Sequence, residues 1–469
     1  MTGVSATTLA ALLADWRAGG PAERQLAATV RALVLDGRLP LESRLPAERE
    51  LAAALGISRS TVTAAYNRLR RDGYLRSRQG AGSWVTIPGG HRAAADGVVP
   101  ARGLDLRIAA LPAPPELEAI AAAAVRALPR WLDHHGYDPL GLPPLRAAIA
   151  RRFTARGLPT TSEQILVVNG ALQALELAVR ATLPRGRIAV AELPGYPAAL
   201  DLLRAAGSRV QGVPVGPDGW DLEQLRGHAA RGLSLAYLIP DFQNPSGVLV
   251  DDAGRRRALR MLRTAEATVV VDETFVELNL DSVQMPAPAA SHDAATITVG
   301  SLSKPVWGGL RIGWLRAEPS TVQRIAALRA ITDMASPVLE QLVAVGVFDS
   351  LDAIVAERVE LLRTRRAALL EALHRHAPAW TCSRPHGGLF LWVELPSPIA
   401  TSLSVRARER GVHFTPGPRF GAAGLLERKL RLPFTLPPDQ LDRAVEVLAS
   451  AAGELAPTSR AALEPAYVV

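Results

Sequence analysis

Lysine is nearly missing from this chain of 469 residues: of 53 basic side chains, 51 are arginine and only Lys304 and Lys429 are lysine. Cysteine is scarcer still, with Cys382 alone. One cysteine excludes an intrachain disulfide and a cysteine-ligated zinc site, and no metal centre is expected; the composition fits a reducing, cytoplasmic compartment. No run of about 18 uninterrupted apolar residues occurs, so no membrane-spanning helix is expected. Met1 to Ala10 lacks the basic start and cleavage pattern of a secretion signal. What is plentiful is apolar. Hydrophobic residues make up 48%, ample for a large core, and the length points to two or three domains.

Arginine carries surface charge and ion pairs at least as well as lysine. It cannot act as an amine nucleophile towards an aldehyde, because its guanidinium stays protonated; a lysine amine can lose its proton and form a Schiff base. Lys304 stands in Gly300-Ser301-Leu302-Ser303-Lys304. The count alone leaves two readings open, a residual surface charge or a retained nucleophile.

The net charge of +8 is unevenly spread. Residues 1–92 hold thirteen arginines against seven acids; the rest holds forty basic against thirty-eight acidic groups. A small basic head on a nearly neutral body suggests that the head meets a polyanion. Leu26, Val30, Leu33 and Val34 share one face of a helix predicted over 22–36, with Gly37 as its stop. Pro46 opens a short helix that ends near Gly56. Ser58 then caps a helix to Asp72, with Val62, Tyr66 and Leu69 inward and Arg59, Ser60, Thr61, Thr63, Asn67 and Arg70 outward. Two helices joined by Gly56-Ile57 read as a helix-turn-helix. Tyr74 to Thr86, turning at Gln79-Gly80-Ala81-Gly82, reads as a β-hairpin wing with Arg76 and Arg78 on it.

The stretches Arg44-Leu45-Pro46-Ala47-Glu48-Arg49-Glu50-Leu51-Ala52, Leu55-Gly56-Ile57-Ser58-Arg59-Ser60-Thr61-Val62 and Leu69-Arg70-Arg71-Asp72-Gly73-Tyr74-Leu75 resemble the GntR-type winged helix-turn-helix. The resemblance covers residues 20–88 and implies that Arg44, Arg49, Arg59, Thr61, Thr63 and Gly80 lie at double-stranded DNA. Ser58, Ser60, Asn67 and Arg76 join them from the residue reading.

Residues 89–103, with Gly89, Gly90, Gly97 and Pro100, read as a linker. Beyond it, apolar strands predicted at 165–168, 187–191, 234–239, 268–271 and 296–299 alternate with helices such as 172–182 and 251–265. That pattern predicts an α/β body with a parallel-rich sheet and functional residues in turns at strand C-termini. Five such features stand out. They are Asn169-Gly170-Ala171-Leu172 at a helix start, Tyr196 in Pro194-Gly195-Tyr196-Pro197, Asn244 in Asn244-Pro245-Ser246-Gly247, Asp272 closing a buried strand, and Ser301-Leu302-Ser303-Lys304 with Arg311 beyond. Together they supply what pyridoxal 5'-phosphate needs: an amine, a carboxylate for the pyridinium nitrogen, a phosphate cup, an aromatic and a donor to the ring oxygen.

From 104 to 453 the chain resembles a fold-type I, class I/II aminotransferase; 454–469 is an unassigned tail. The resemblance implies that Lys304 is the Schiff-base lysine and Asp272 the pyridinium partner. It implies Asn244 on the ring hydroxyl, Tyr196 stacked on the ring, and Ala171, Leu172, Ser301, Ser303 and Arg311 around the phosphate. Tyr137, in Gly136-Tyr137-Asp138-Pro139, matches the tyrosine that crosses a homodimer interface, and Arg431 matches the arginine for an amino acid's carboxylate. One departure stands out. The family's tyrosine two or three residues past the aspartate is replaced by Thr274 and Phe275. A GntR-type head on such a body resembles the MocR-type transcriptional regulators. That implies operator binding and sensing of an amine, an amino acid or the cofactor itself. An active aminotransferase with a localising head, or an inert body, are the alternatives.

Overall fold

The computed structural model describes residues 3–13, 16–17, 21–35, 38–39, 43–78, 82–86, 103–421 and 425–455. The linker, Gly80 at the wing tip and nearly all of the C-terminal tail lie outside the described residues.

Among the described residues, the head is built on four helices and a three-stranded sheet. Helix α1 (Ala6–Leu13) precedes the segment read as the head, yet it packs into the same core through Leu9, Leu12 and Leu13. Helix α2 (Ala22–Leu35) lays Leu26, Val30 and Leu33 against them. The short strand β1 (Arg44–Leu45) leads into α3 (Glu48–Leu55), which stops where Gly56 takes a left-handed φ of 63°. The side chain of Ser58 accepts the Thr61 N–H at 3.1 Å and opens α4 (Arg59–Arg71). Val62, Ala65, Tyr66 and Leu69 are its buried stripe. Strands β2 (Leu75–Arg78) and β3 (Gly82–Val85) form the antiparallel wing, and β1 pairs with β3.

The body starts with strand β4 (Leu104–Leu106) and divides into a large and a small part. The large sheet contains β5 (Ile165–Val168), β6 (Ile188–Leu193), β7 (Arg209–Gly216), β8 (Gly219–Trp220), β9 (Leu233–Leu238), β10 (Thr268–Asp272), β11 (Ile297–Ser301) and β12 (Gly313–Arg316). Their order is β5-β12-β11-β10-β9-β6-β7-β8. From β11 through β7 every pairing is parallel; β12 and β8 run antiparallel. The helix Ala171–Thr182 packs on one face of this sheet, and Asp252–Thr264 on the other. Both faces are thus covered, and for that reason β5 and β11 are buried along their whole length.

The small part is a five-stranded sheet, ordered β13 (Thr381–Cys382), β14 (Phe390–Glu394), β16 (Lys429–Pro433), β15 (Val412–Pro416) and β4. It does not follow the simple alternation read from the sequence, because β4 pairs with β15 across some three hundred residues. Helix Ala400–Glu409 lies against it and also meets α2 of the head.

Candidate cofactor and nucleic-acid sites

Because β9, β10 and β11 run parallel, their C-terminal ends open on one side. There they line a cavity of about 490 Å³ with side chains from the small sheet opposite. Ten of the sequence-derived residues meet in it: Ala171, Leu172, Tyr196, Asn244, Asp272, Ser301, Ser303, Lys304, Arg311 and Arg431.

The Lys304 amine donates to the Ala109 carbonyl at 2.8 Å and lies 5.8 Å from the centre of the Phe275 ring. Burial and the nearby Arg431 and Arg311 cations bring its pKa down to about 8, against the pull of Asp272. Roughly a tenth of the amine is therefore uncharged at pH 7, the form a nucleophile requires. The other lysine differs: Lys429 pairs with Glu394 at 2.8 Å near the surface.

Asp272 is held from two sides. Tyr237 donates to Oδ2 at 2.6 Å, while the Thr274 N–H donates to Oδ1 at 2.9 Å and the Thr274 hydroxyl to the same oxygen. Thr274 thus has a different task from the missing tyrosine. Phe275 packs edge-on against Phe390 and brings no hydroxyl to the cavity.

At the start of the helix Ala171–Thr182 the Ala171 and Leu172 N–H groups have no intrahelical acceptor. Gly170, at φ 95°, lies so close to Arg311 that a Cβ there would come 2.6 Å from Nη2. A Cβ on Gly313 would come as near to the Gly170 carbonyl carbon. Ser301 and Ser303 share a 2.7 Å hydroxyl contact beside them. Free N–H donors, two hydroxyls and a guanidinium over a glycine-cleared floor fit a phosphate dianion.

Arg431 is buried on β16, its guanidinium 5.5 Å from the Phe390 ring centre and 5.2 Å from that of Phe420. It donates to Asn244 Oδ1 at 3.3 Å and to the Arg107 carbonyl, and its buried Nε has no partner. A buried cation with no carboxylate partner among the described residues is costly, and it suits an anionic ligand.

Tyr137 is not in this cavity. It is 58% exposed on the surface of its own chain, its ring centre 5.9 Å from that of His135.

Sequence reasoning missed two polar residues beneath the site. Tyr237 reads as an ordinary core aromatic in β9. Glu192, an acid near the end of β6, carries the same signal that drew attention to Asp272. It accepts from Trp220 Nε1 at 2.6 Å, the Ile239 N–H at 2.8 Å and Gln243 Nε2 at 2.8 Å. Burial pushes its carboxyl up to about 8, with Asp272 adding to the rise.

On the head, Arg44, Arg49, Ser58, Arg59, Ser60, Asn67 and Arg76 are exposed and Thr61 is half-buried. The outward face read from the helix pattern is partly spent on internal bonds. The Thr63 hydroxyl donates to Glu48 at 2.7 Å. Arg70 binds Glu48 at 3.2 Å, Ser77 at 2.8 Å and Ser83 at 3.1 Å, locking the recognition helix to α3 and the wing.

The model of the class I and II aminotransferase family matches residues 114–448, and that of the gntR family of bacterial regulatory proteins matches residues 22–85. The chain is 31% identical over 437 residues to the "Probable rhizopine catabolism regulatory protein MocR" of Rhizobium meliloti, covering 86% of this chain and 88% of that protein. It is 28% identical over 425 residues to the "Uncharacterized HTH-type transcriptional regulator YdfD" of Bacillus subtilis, covering 84% and 88%. Among solved structures it is similar to the α-aminoadipate aminotransferase LysN of Thermus thermophilus, complexed with N-(5'-phosphopyridoxyl)-L-leucine. The TM-score is 0.69 at 32% identity, over 76% of this chain and 93% of that one. The cofactor of this fold family is pyridoxal phosphate, and the donor set described above fits it. The chain belongs to the class I and II aminotransferase family and, with its gntR-family head, to the MocR-type transcriptional regulators that join the two.

Proposed function

We propose that an amine or α-amino acid entering the body's cavity alters how the head engages operator DNA. Pyridoxal phosphate, when bound, supplies an electrophilic carbon and an electron-accepting ring. The chain's own residues do the rest. Lys304 offers an amine at that carbon, Asp272 holds a proton on the ring nitrogen, and Arg431 docks the ligand's carboxylate. Arg431 belongs to the small sheet, so a ligand bridging it to the cofactor draws that sheet towards the large one.

The observation that carries this reading is the path from Arg431 to the head. Four residues before Arg431, the buried Glu427 accepts the Thr401 hydroxyl at 2.6 Å. Arg38, just past α2, donates to that same hydroxyl at 3.2 Å. Movement of the small sheet therefore reaches the head through α2 as well as through the linker. In the test, operator affinity of the cofactor-loaded protein is measured with and without amino acids. An effector should shift it at least about fivefold. Arg431→Ala should abolish the shift and keep basal DNA binding. Thr401→Val should keep ligand binding and blunt the shift. An affinity indifferent to every amine and amino acid, with each of them bound, would overturn the proposal.

We also propose that the protein is a homodimer through its body, with Tyr137 serving the partner's cavity. Tyr137, Leu172, Trp307, Ile331 and Met334 are large side chains left exposed on the body, which supports this reading. Sedimentation of the full chain should give a dimer, and Tyr137→Phe should weaken cofactor binding. A monomer that binds cofactor tightly would contradict it.

A working aminotransferase remains a second reading, favoured by the free-amine fraction at Lys304. Keto-acid formation separates the two.

A further inference from the structure

Besides the residues assigned to cofactor and α-carboxylate, the same cavity is lined by Arg107, Ile108, Ala109, Pro197, Ala198, Thr415, Arg419 and Phe420. These are the groups left to meet a ligand's side chain. The two arginines suggest at first a site for a second carboxylate. Their partners argue otherwise. Arg107 grips Asp105 with both Nε and Nη2, at 2.9 and 2.8 Å. Arg419 grips Asp201 through Nη1 at 3.2 Å and through Nη2. Each is a two-pronged pair in which one carboxylate occupies one in-plane edge of one guanidinium and neutralises its charge. A ligand carboxylate arriving here meets two cations already paired with aspartates, in a site walled by Ile108, Ala109, Pro197, Ala198 and Phe420. The remaining polar group, Thr415, carries no charge.

We infer that the cavity selects α-amino acids with uncharged, apolar side chains over dicarboxylic ones, and that the Asp201–Arg419 pair sets this choice. The inference rests on the amino-acid reading of the site. It differs from that reading because Arg431 serves any α-carboxylate, whereas Asp201 acts only on what the side chain carries. Asp201 is a specificity determinant, not a catalytic residue. Its carboxylate is partly exposed, also lies 3.3 Å from Arg204, and is not part of the cavity lining that holds Lys304. Replacing it by asparagine keeps the shape, removes the charge and leaves Arg419 free to take a ligand carboxylate.

The experiment titrates cofactor-loaded, full-length protein with leucine, phenylalanine, glutamate and 2-aminoadipate, following the visible absorbance of the cofactor. Leucine and phenylalanine should bind at least about tenfold more tightly than the two dicarboxylates. Asp201→Asn should improve glutamate and 2-aminoadipate by about tenfold and change leucine by less than about twofold. Adding Arg419→Leu to Asp201→Asn should remove the gain, which separates a freed guanidinium from a loosened fold. Glutamate binding as tightly as leucine to the wild type, or a gain that survives loss of Arg419, overturns the inference and leaves the amino-acid reading intact. Absence of any spectral change with all four amino acids overturns both.

Discussion

Tyr237 and Asp272 stand on neighbouring parallel strands, β9 and β10, and the phenol donates a 2.6 Å hydrogen bond to the carboxylate. Tyr237 lies opposite Val270, so its ring and Asp272 point from the same face of the sheet two residues apart. The bond fixes the carboxylate at the cavity wall, from where the proposed site would hold a pyridinium nitrogen. Burial first, then the adjacent Asp272 charge and this bond, raise the Tyr237 pKa. Tyr237→Phe keeps the packing and removes the donor. The variant should bind pyridoxal phosphate about 10- to 150-fold more weakly, the worth of a hydrogen bond to a charged group. Cofactor titration followed by absorbance checks this. An unchanged affinity would show that Thr274 alone orients Asp272.

Lys304 gives a pH prediction with a definite sign. The neutral amine captures the cofactor, and its folded pKa is about 8 instead of 10.5. The capture rate of cofactor-free protein should rise about tenfold per pH unit below 8 and level off above it. A plateau only above pH 10 would mean that the amine is not desolvated. Because the folded value is depressed, the fold disfavours the protonated amine. Stability from this group is lowest below pH 8 and rises between about 8 and 10.5. Borohydride reduction of the loaded protein should label a peptide containing Lys304 and spare Lys429.

The head divides its polar residues between holding and reading. Arg59→Ala should weaken specific operator binding by about 1–3 kcal/mol if the side chain reads a base edge. Thr63→Val should lower thermal stability by about 1 kcal/mol, through loss of the bond to Glu48, and leave the ranking of operator sequences unchanged. Operator-variant binding and thermal unfolding of both mutants test the division. A changed sequence preference in Thr63→Val would return that residue to the DNA face.

Much of the site was legible because chemistry and strand ends coincide. The strand read at 165–168 is β5, and Asp272 and Ser301 close β10 and β11. A scarce lysine in an arginine-rich chain pointed to Lys304 before any fold was considered. The small sheet was not legible. Its strands are two to five residues long, and its partners are joined by non-local pairing that no periodicity records. The antiparallel β12, between β5 and β11, breaks the simple alternation for the same reason. Helix α1 escaped notice because the motif starts after it, and only the packing of Leu9 and Leu13 on the head core reveals its place. The sequence exposed residue types, but not which hydroxyls the fold had already used: Thr63, Tyr237 and Thr274 all turn inward to carboxylates.

Phe275 offers a test that separates sensing from turnover. Its ring lies 5.8 Å from the Lys304 amine, and its edge-on contact with Phe390 holds it there. No hydroxyl is available from it to share the ring oxygen with Asn244 or to assist proton movements around Lys304. On the proposed reading, binding needs only Lys304, Asp272, Arg431 and the residues around the phosphate, all of which line the cavity. Repeated proton transfer needs more, and a positioned acid or base contributes about 10²- to 10⁴-fold to such steps. A ligand that binds and is not consumed gives a lasting signal, which suits a regulator. The wild type should therefore change absorbance with an effector while forming keto acid at well under about one turnover per second. Phe275→Tyr restores the phenol in a ring of the same size. It should raise keto-acid formation by at least about tenfold and shorten the effector's influence on operator binding. Fast transamination by the wild type, with DNA binding unmoved by the substrate, would instead identify an enzyme that carries a DNA-binding head.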